Sequence, residues 1–127
     1  MRILLVVVCL AAVVSASATA VPDGRIASRC SASGDVCYGV FDDHGTIRFQ
    51  LTLAAKYFNR YRICVKPPRG VTTCRSFPVK RVGSQYGGAV KWDRNFPSRG
   101  LGRYRVTWKQ GAQALGPALV FQPSTQV

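Results

Sequence analysis

Arginine and lysine recur at alternate positions in two short stretches of the chain, residues 60–66 and 103–109. Successive side chains of a β-strand point to opposite faces, so each stretch would carry its cations on a single face. A guanidinium group binds phosphate or carboxylate through a bidentate fork, and such a face therefore suits an anionic partner. The candidate binding residues are Arg60, Arg62, Lys66, Arg103, Arg105 and Lys109.

The same pattern is also consistent with a solvated outer face that binds nothing. Long Arg and Lys side chains cover a sheet with their stems and keep their charged ends in water. Against this interpretation, if the two strands are neighbours in one sheet, six like charges on them disfavour folding unless counterions or a partner screen them. The sequence leaves both interpretations open.

Residues that enzymes use for catalysis are scarce. The chain contains no Glu and one His, His44, which lies in an Asp-His-Gly turn. A Ser-His-Asp arrangement would have to use this histidine, and the sequence has no G-x-S-x-G motif. A carboxylate pair for glycoside hydrolysis would have to come from five Asp. We therefore predict that the protein is not an enzyme, and a small hydrolase ranks last among the candidate functions.

The sequence also has few residues in patterns that bind metal ions or cofactors. Asp42 and Asp43 are oxygen ligands of the kind that Ca²⁺ prefers, but two adjacent carboxylates in an Asp-Asp-His-Gly stretch are more typical of a turn. The cysteine spacings lack the C-x2-C motif of zinc and redox centres. We expect no metal ion and no cofactor.

The cysteines instead indicate disulfides. Of the five cysteines, Cys9 lies in an N-terminal segment with the form of a cleaved secretory signal peptide, which is described below. The remaining four, Cys30, Cys37, Cys64 and Cys74, form an even set in an exported chain of modest length, which predicts two bridges. If Arg69 is the tip of a hairpin, Cys64 lies opposite Cys74, with Cβ atoms about 4.5–5.5 Å apart. Small adjustments bring that distance within disulfide range. The remaining pair, Cys30–Cys37, then closes the CSASGDVC loop, although spacing alone leaves the other two pairings open.

The elements that must position these residues are predicted to be β-strands. The hydrophobic pattern has period two, and no stretch shows a sustained helical period. Turn residues separate the apolar runs, which predicts an all-β, antiparallel sandwich of about seven short strands. The predicted strands cover residues 36–41, 47–53, 60–66, 71–77, 88–92, 103–109 and 115–121.

Three aromatic residues fall in predicted loops: Tyr57, Phe58 and Tyr86. Such rings could stack on bases or sugars beside the arginines. More commonly, loop aromatics of this kind cover the end of a hydrophobic core, and that is the interpretation we favour.

The C-terminal third carries a family resemblance. Residues 100–108, GLGRYRVTW, resemble the sixth strand of immunoglobulin-like and fibronectin type III-like domains, in which a G-x-Y-x-V-x-W type run follows a corner. Residues 115–121, LGPALVF, are similar to the last strand of many bacterial immunoglobulin-like modules. The resemblance implies an immunoglobulin-like β-sandwich of secreted bacterial proteins, with Tyr104 as its corner tyrosine. The Tyr104 strand has no cysteine, so the inter-sheet disulfide of true immunoglobulin domains is absent.

The resemblance also implies where the cations lie. The third and sixth strands of this architecture are neighbours in one sheet. Residues 60–66 would be the third strand and residues 103–109 the sixth. Their positive side chains would then share one outer face.

The first 20 residues have the form of a secretory signal peptide. Arg2 precedes an apolar run over residues 3–14, and Ala18-Thr19-Ala20 matches a signal peptidase site. A membrane span needs about 20 apolar residues, so this run is short for one, and an uncleaved anchor is the alternative. We expect cleavage to leave a single disulfide-stapled domain, residues 21–127, that is extracellular and has no membrane span.

Positive charge dominates the composition, with 18 Lys and Arg against five Asp and a formal net charge of +13. Coding bias and solubility can produce such a charge, and so can a surface that attracts polyanions. We predict a secreted, monomeric, noncatalytic binding or accessory module. Its partner would be an anionic polymer or surface: a wall polymer, an acidic glycan, a lipid headgroup or nucleic acid. The alternative is a secreted cationic antimicrobial or toxin-like effector, against which the lack of an amphipathic helix counts.

Overall fold

The computed structural model describes residues 24–123. The predicted signal peptide, residues 1–20, lies outside this range. Ten strands and one short helix form the regular structure of the described residues. They are β1 (Arg25–Cys30), β2 (Val36–Asp43), β3 (Thr46–Leu53), β4 (Arg60–Lys66), β5 (Thr73–Pro78), β6 (Lys80–Val82), β7 (Gln85–Lys91), α1 (Trp92–Asn95), β8 (Tyr104–Gln110), β9 (Gln113–Ala114) and β10 (Leu119–Phe121).

The strands form two antiparallel sheets, which confirms the predicted all-β class. The first sheet has the order β1-β2-β3-β7-β6, and the second has the order β10-β8-β4-β5, with β9 paired to β8. The expected number of about seven strands was too low. The strands without a predicted counterpart are β1, β6 and β9, and they are almost entirely exposed to solvent. An exposed edge strand has no buried face, so no alternation of apolar and polar residues marks it in the sequence.

The two sheets bury one hydrophobic core between their inner faces. In β3, Ile47, Phe49, Leu51 and Leu53 are buried, and the residues between them are only partly covered. The Trp108 ring of the second sheet contacts first-sheet rings, with centroid distances of 4.8 Å to Tyr38 and 6.0 Å to Phe49. Burial of these apolar faces is the main force that holds the sheets together.

Several strand boundaries differ from the sequence prediction, and the differences are largest for the strands predicted at residues 88–92 and 115–121. The predicted strand 88–92 is β7, which runs from Gln85 to Lys91, and Trp92 begins α1. From there the Trp92 ring packs on Tyr104 and Phe121, at 4.9 and 5.3 Å between centroids. The predicted strand 115–121 shortens to β10, and Pro117 in the excluded part accepts a 2.7 Å hydrogen bond from the Tyr38 hydroxyl through its carbonyl.

Both predicted disulfides are present, and each joins neighbouring strands of one sheet. Cys30 pairs with Cys37 across β1 and β2, and Cys64 pairs with Cys74 across β4 and β5. The Cα atoms of each pair are 4.0 Å apart. These bonds are typical of proteins from oxidising compartments.

Candidate functional site

Strands β4 and β8 are hydrogen-bonded neighbours, which brings the two cationic stretches together. In their antiparallel register Arg62 lies opposite Lys109, and Lys66 lies opposite Arg105. Between them, the pairs Ile63–Trp108 and Val65–Val106 are buried in the core. Because side chains alternate between faces, the two cationic pairs share the outer face of the second sheet.

A neutral disulfide separates the two cationic pairs. Cys64 lies between Arg62 and Lys66 on β4 and faces Cys74 on one side and Thr107 on the other. Four residues of strand span about 13 Å at 3.3 Å per residue. The outer face therefore carries two rows of positive charge about 13 Å apart. We call Lys66 and Arg105 the near row, because they lie beside the loop that precedes β8, and we call Arg62 and Lys109 the far row.

The other two candidate residues lie at opposite ends of this face. Arg60 begins β4 and turns toward β5, where its Nε donates a 3.1 Å hydrogen bond to the Ser76 hydroxyl. Arg103 immediately precedes β8 and is exposed. Lys109 is half-buried, whereas the remaining candidate residues are exposed. Arg60 is thus held beside the face, and Arg103 extends the near row.

No acidic residue balances these charges on the second sheet. Its strands contain no Asp or Glu. Within residues 24–123, the ion pairs are Arg48 with Asp43 at 3.4 Å and His44 with Asp43 at 3.9 Å, and both belong to the first sheet. Like charges opposite each other on neighbouring strands repel. The rows therefore form a concentrated positive surface. A bound anion would reduce the repulsion between their charges.

A surface hollow of about 600 Å³ lies at the near row. Its lining includes three cationic residues, Lys66, Arg103 and Arg105. The rest of its lining is Pro67, Pro68, Tyr104 and Val120. The N–H donors of such cationic residues make charge-assisted hydrogen bonds to phosphate, sulfate or carboxylate groups.

Two contacts fix the loop that carries Arg103. Gly102 has a φ of 136° and lies so close to Pro68 that a Cβ there would be 2.8 Å from the Pro68 Cβ. Only glycine tolerates both the backbone angle and the approach. The Tyr104 hydroxyl donates a 2.6 Å hydrogen bond to the Gly100 carbonyl and accepts one of 2.9 Å from the Arg99 amide. Arg103 is therefore held between two anchored residues.

The inner face of the sheet beneath the cations is buried. Burial raises the pKa of Tyr61, on the inner side of β4, to about 12. Burial also raises the pKa of Tyr38 in the opposite sheet, while the positive charge of Arg29 lowers it in part. The cations therefore lie on the outer side of the sheet, over a buried core.

His44 and its neighbouring aspartates form a hairpin turn on the first sheet. His44 and Gly45 both have positive φ, 51° and 90°, as a two-residue hairpin of the I′ type requires. The Asp42 carboxylate accepts a 2.7 Å hydrogen bond from the Gly45 amide, and the His44 side chain is 97% exposed. Nowhere in the described part of the chain do three or more His, Cys, Asp or Glu side chains gather as metal ligands would. The turn accounts for the local pattern of these residues.

The loop aromatics divide into two kinds. Phe58 and Tyr86 are partly buried and pack against the core, and Tyr86 lies in β7 rather than in a predicted loop. Tyr57 is 51% exposed. Covering the core, the interpretation favoured by the sequence, applies to Phe58 and Tyr86.

Exposed aliphatic side chains next to the hollow are a feature that the sequence prediction missed. Val71 is 81% exposed and Leu101 is 60% exposed. The available signal was the order Arg-Gly-aliphatic, which occurs at residues 69–71 and again at residues 99–101.

The assembled site offers positive charge and N–H donors on a rigid sheet. Four predicted residues form the two rows, Arg103 joins the near row at the hollow, and Arg60 leans toward Ser76. No protein-family model, curated protein or solved structure matches the chain. The one helix of residues 24–123 has four residues, and no helix in that range has the length and hydrophobicity to cross a membrane. The arrangement can bind anionic groups without covalent chemistry.

Proposed function

We propose that this protein is a secreted, monomeric, noncatalytic binding or accessory module that holds an anionic polymer or surface on the outer face of its second sheet. The observation that carries the proposal is the pairing of Arg62 with Lys109 and of Lys66 with Arg105 on adjacent strands. Among the described ion pairs, none includes these four residues. A polyanion would screen their repulsion and accept their hydrogen bonds.

Binding of this kind is driven largely by the release of counterions. The two rows and Arg103 provide five positive groups on one surface. Each contact with a phosphate or sulfate frees ions that were condensed on the polyanion, so affinity falls steeply as salt rises. The separation of the rows, about 13 Å, favours an extended ligand with repeated charges over a single small anion.

We infer in addition that the fold is an immunoglobulin-like sandwich. Strands β2-β3-β7-β6 and β5-β4-β8-β10 follow the orders A-B-E-D and C′-C-F-G of that architecture. The Tyr104 hydroxyl, bound to the backbone four residues upstream, takes the role of the corner tyrosine. Strand β1 is then an additional edge strand, and both disulfides lie within sheets instead of between them.

Export is part of the proposal. Two disulfides support an oxidising compartment, and residues 1–20 have the pattern of a cleaved signal. We expect protein recovered outside the producing cell to begin at Val21. N-terminal sequencing checks this, and a mature chain that keeps residues 1–20 contradicts it.

The binding face is tested by removing one cation from each row. We expect the Arg62→Ser/Arg105→Ser variant to elute from heparin and from immobilised polyphosphate at clearly lower salt than the unaltered protein. The matched control, Arg25→Ser/Lys80→Ser, removes the same charge from the first sheet and should elute close to the unaltered protein. Neither variant should have a lower melting temperature than the unaltered protein, since all four side chains are exposed. Equal elution of the two variants would reject the named face.

A further inference from the structure

The two most exposed large hydrophobic side chains of the described range lie on loops at one end of the second sheet. Val71 belongs to the β4–β5 loop, and Leu101 belongs to the loop that precedes β8. Exposed aliphatic side chains are unfavourable in water by roughly 25 cal/mol per Å² relative to burial. Their shared location makes this end of the second sheet a candidate docking surface.

The two loops have the same local design. Each places an arginine, a left-handed glycine and an aliphatic residue in succession, at residues 69–71 and 99–101. The φ angles of Gly70 and Gly100 are 108° and 83°, which residues with a side chain rarely adopt. Each loop thus presents one aliphatic side chain next to one exposed arginine.

The loops also contact each other. A Cβ on Gly70 would lie 4.0 Å from the Arg99 Nε, and Gly102 packs against Pro68. The hydrogen bonds of the Tyr104 hydroxyl hold the Arg99–Gly100 backbone in place. We call the set Arg69, Val71, Arg99 and Leu101 the loop-end surface. It adjoins the hollow of the near row through Pro68 and Arg103.

We infer that the loop-end surface docks on an anionic lipid bilayer, an inference that rests on the proposed function and names the partner class. Val71 and Leu101 enter the boundary between headgroups and acyl chains, where apolar side chains are stabilised. Arg69 and Arg99 stay at the level of the lipid phosphates, with their stems along the apolar residues. Arg103 and the hollow then face the headgroups.

The chemistry of the surface favours a bilayer over a protein partner. The centres of protein interfaces are close-packed and enriched in Tyr, Trp, Phe, Met and Arg. Of these residue types, residues 67–72 and 97–102 contain only Arg, and they contain no acidic residue. Separate aliphatic side chains beside arginines match the bilayer interface instead, which combines apolar depth with negative charge.

If the loops dock on the bilayer, the two cationic rows contribute unequally to bilayer binding. The near row lies next to the loops, whereas the far row is about 13 Å further along the strands. Charge interactions are screened beyond about 8–10 Å at physiological salt. Near-row charges should therefore contribute to bilayer binding and far-row charges should not, although both rows bind a soluble polyanion.

The first experiment measures sedimentation with vesicles of phosphatidylcholine alone and of equimolar phosphatidylcholine and phosphatidylserine. We expect the unaltered protein to bind the anionic vesicles selectively. Val71→Ser/Leu101→Ser should weaken that binding about tenfold or more, from the burial energy of two aliphatic side chains, while heparin elution stays unchanged. The control Ile26→Ser/Val82→Ser removes exposed aliphatic residues from the first sheet and should bind like the unaltered protein. Equal binding by all three proteins, or no binding to either vesicle, overturns the inference. The proposed function would still be tested separately, by the elution of the charge variants from heparin.

The second experiment detects insertion directly. Trp92 and Trp108 are buried, so a tryptophan introduced by Leu101→Trp should report its own environment. Its emission should shift to shorter wavelength with anionic vesicles and stay unchanged with phosphatidylcholine. Binding without this shift would mean that charge alone holds the protein at the headgroups, and it would overturn the insertion of Leu101.

Discussion

The two faces of the second sheet are made from alternate residues of the same strands, yet they have opposite effects on stability. On the inner face of β4, Tyr61, Ile63 and Val65 are at most 2% exposed, whereas Arg62 and Lys66 between and beside them are in water. The inner side chains stabilise the fold, and the outer ones repel each other. A single strand can thus both stabilise the core and present positive charge to solvent, because its side chains alternate between the two faces. Changes on one face should leave the property of the other face intact.

The largest effect is expected on the inner face. Trp108→Ala should lower the free energy of unfolding by about 3–5 kcal/mol, because it removes a fully buried ring that packs on Tyr38 and Phe49. Thr107→Ala, on the neighbouring outer position, is the control and should cost less than about 1 kcal/mol. Urea unfolding followed by circular dichroism measures both. A loss below about 1 kcal/mol for Trp108→Ala would show that the sheets do not depend on this contact.

An intermediate effect is expected from Tyr61 at high pH. Burial favours the neutral phenol and raises its pKa to about 12, whereas an unfolded tyrosine has a pKa near 10. The contribution of Tyr61 to the free energy of unfolding is therefore complete below pH 10. It is lost as pH rises through 12, by up to about 2 kcal/mol. Unfolding free energies from pH 8 to 12 should fall more for the unaltered protein than for Tyr61→Phe. Parallel pH profiles would contradict a buried, neutral Tyr61.

The smallest effect is expected on the outer face. Arg62→Ser removes a charge that lies opposite Lys109, and at low salt it should raise the free energy of unfolding by about 0.2–1 kcal/mol. Added salt should remove this gain, since it screens exposed charges. Urea midpoints at two salt concentrations measure the change. If Arg62→Ser instead destabilises the protein by more than about 1 kcal/mol, its stem contributes packing that the comparison of faces neglects.

Local patterns in the sequence predicted most of the fold. Strand β3 alternates strictly because only its inner face is buried, and Cys64 meets Cys74 because a short hairpin connects them. β1 and β6 were missed because edge strands exposed on both sides carry no alternation. Trp92 was assigned to a strand because its apolar side chain fits that pattern, although its ring reaches the core from α1.

The candidate site was predictable only where strand pairing determines it. The adjacency of residues 60–66 and 103–109 followed from a resemblance in architecture, and β4 pairs with β8. The hollow and the loop-end surface depend on how residues 67–72 meet residues 97–103, which no period or spacing encodes. The contact of Gly102 with Pro68 is long-range in sequence and is set by packing alone.

The central claim is that the outer face of the second sheet is where polyanions bind. Its most direct test is the dependence of a heparin fragment's dissociation constant on salt concentration, because the slope counts the ions released by the contacts that form. Arg62→Ser/Arg105→Ser should give a shallower slope than the unaltered protein, while Arg25→Ser/Lys80→Ser should reproduce the unaltered slope. If both double variants flatten the slope equally, the ligand responds to total charge and the proposed face does not exist as a site.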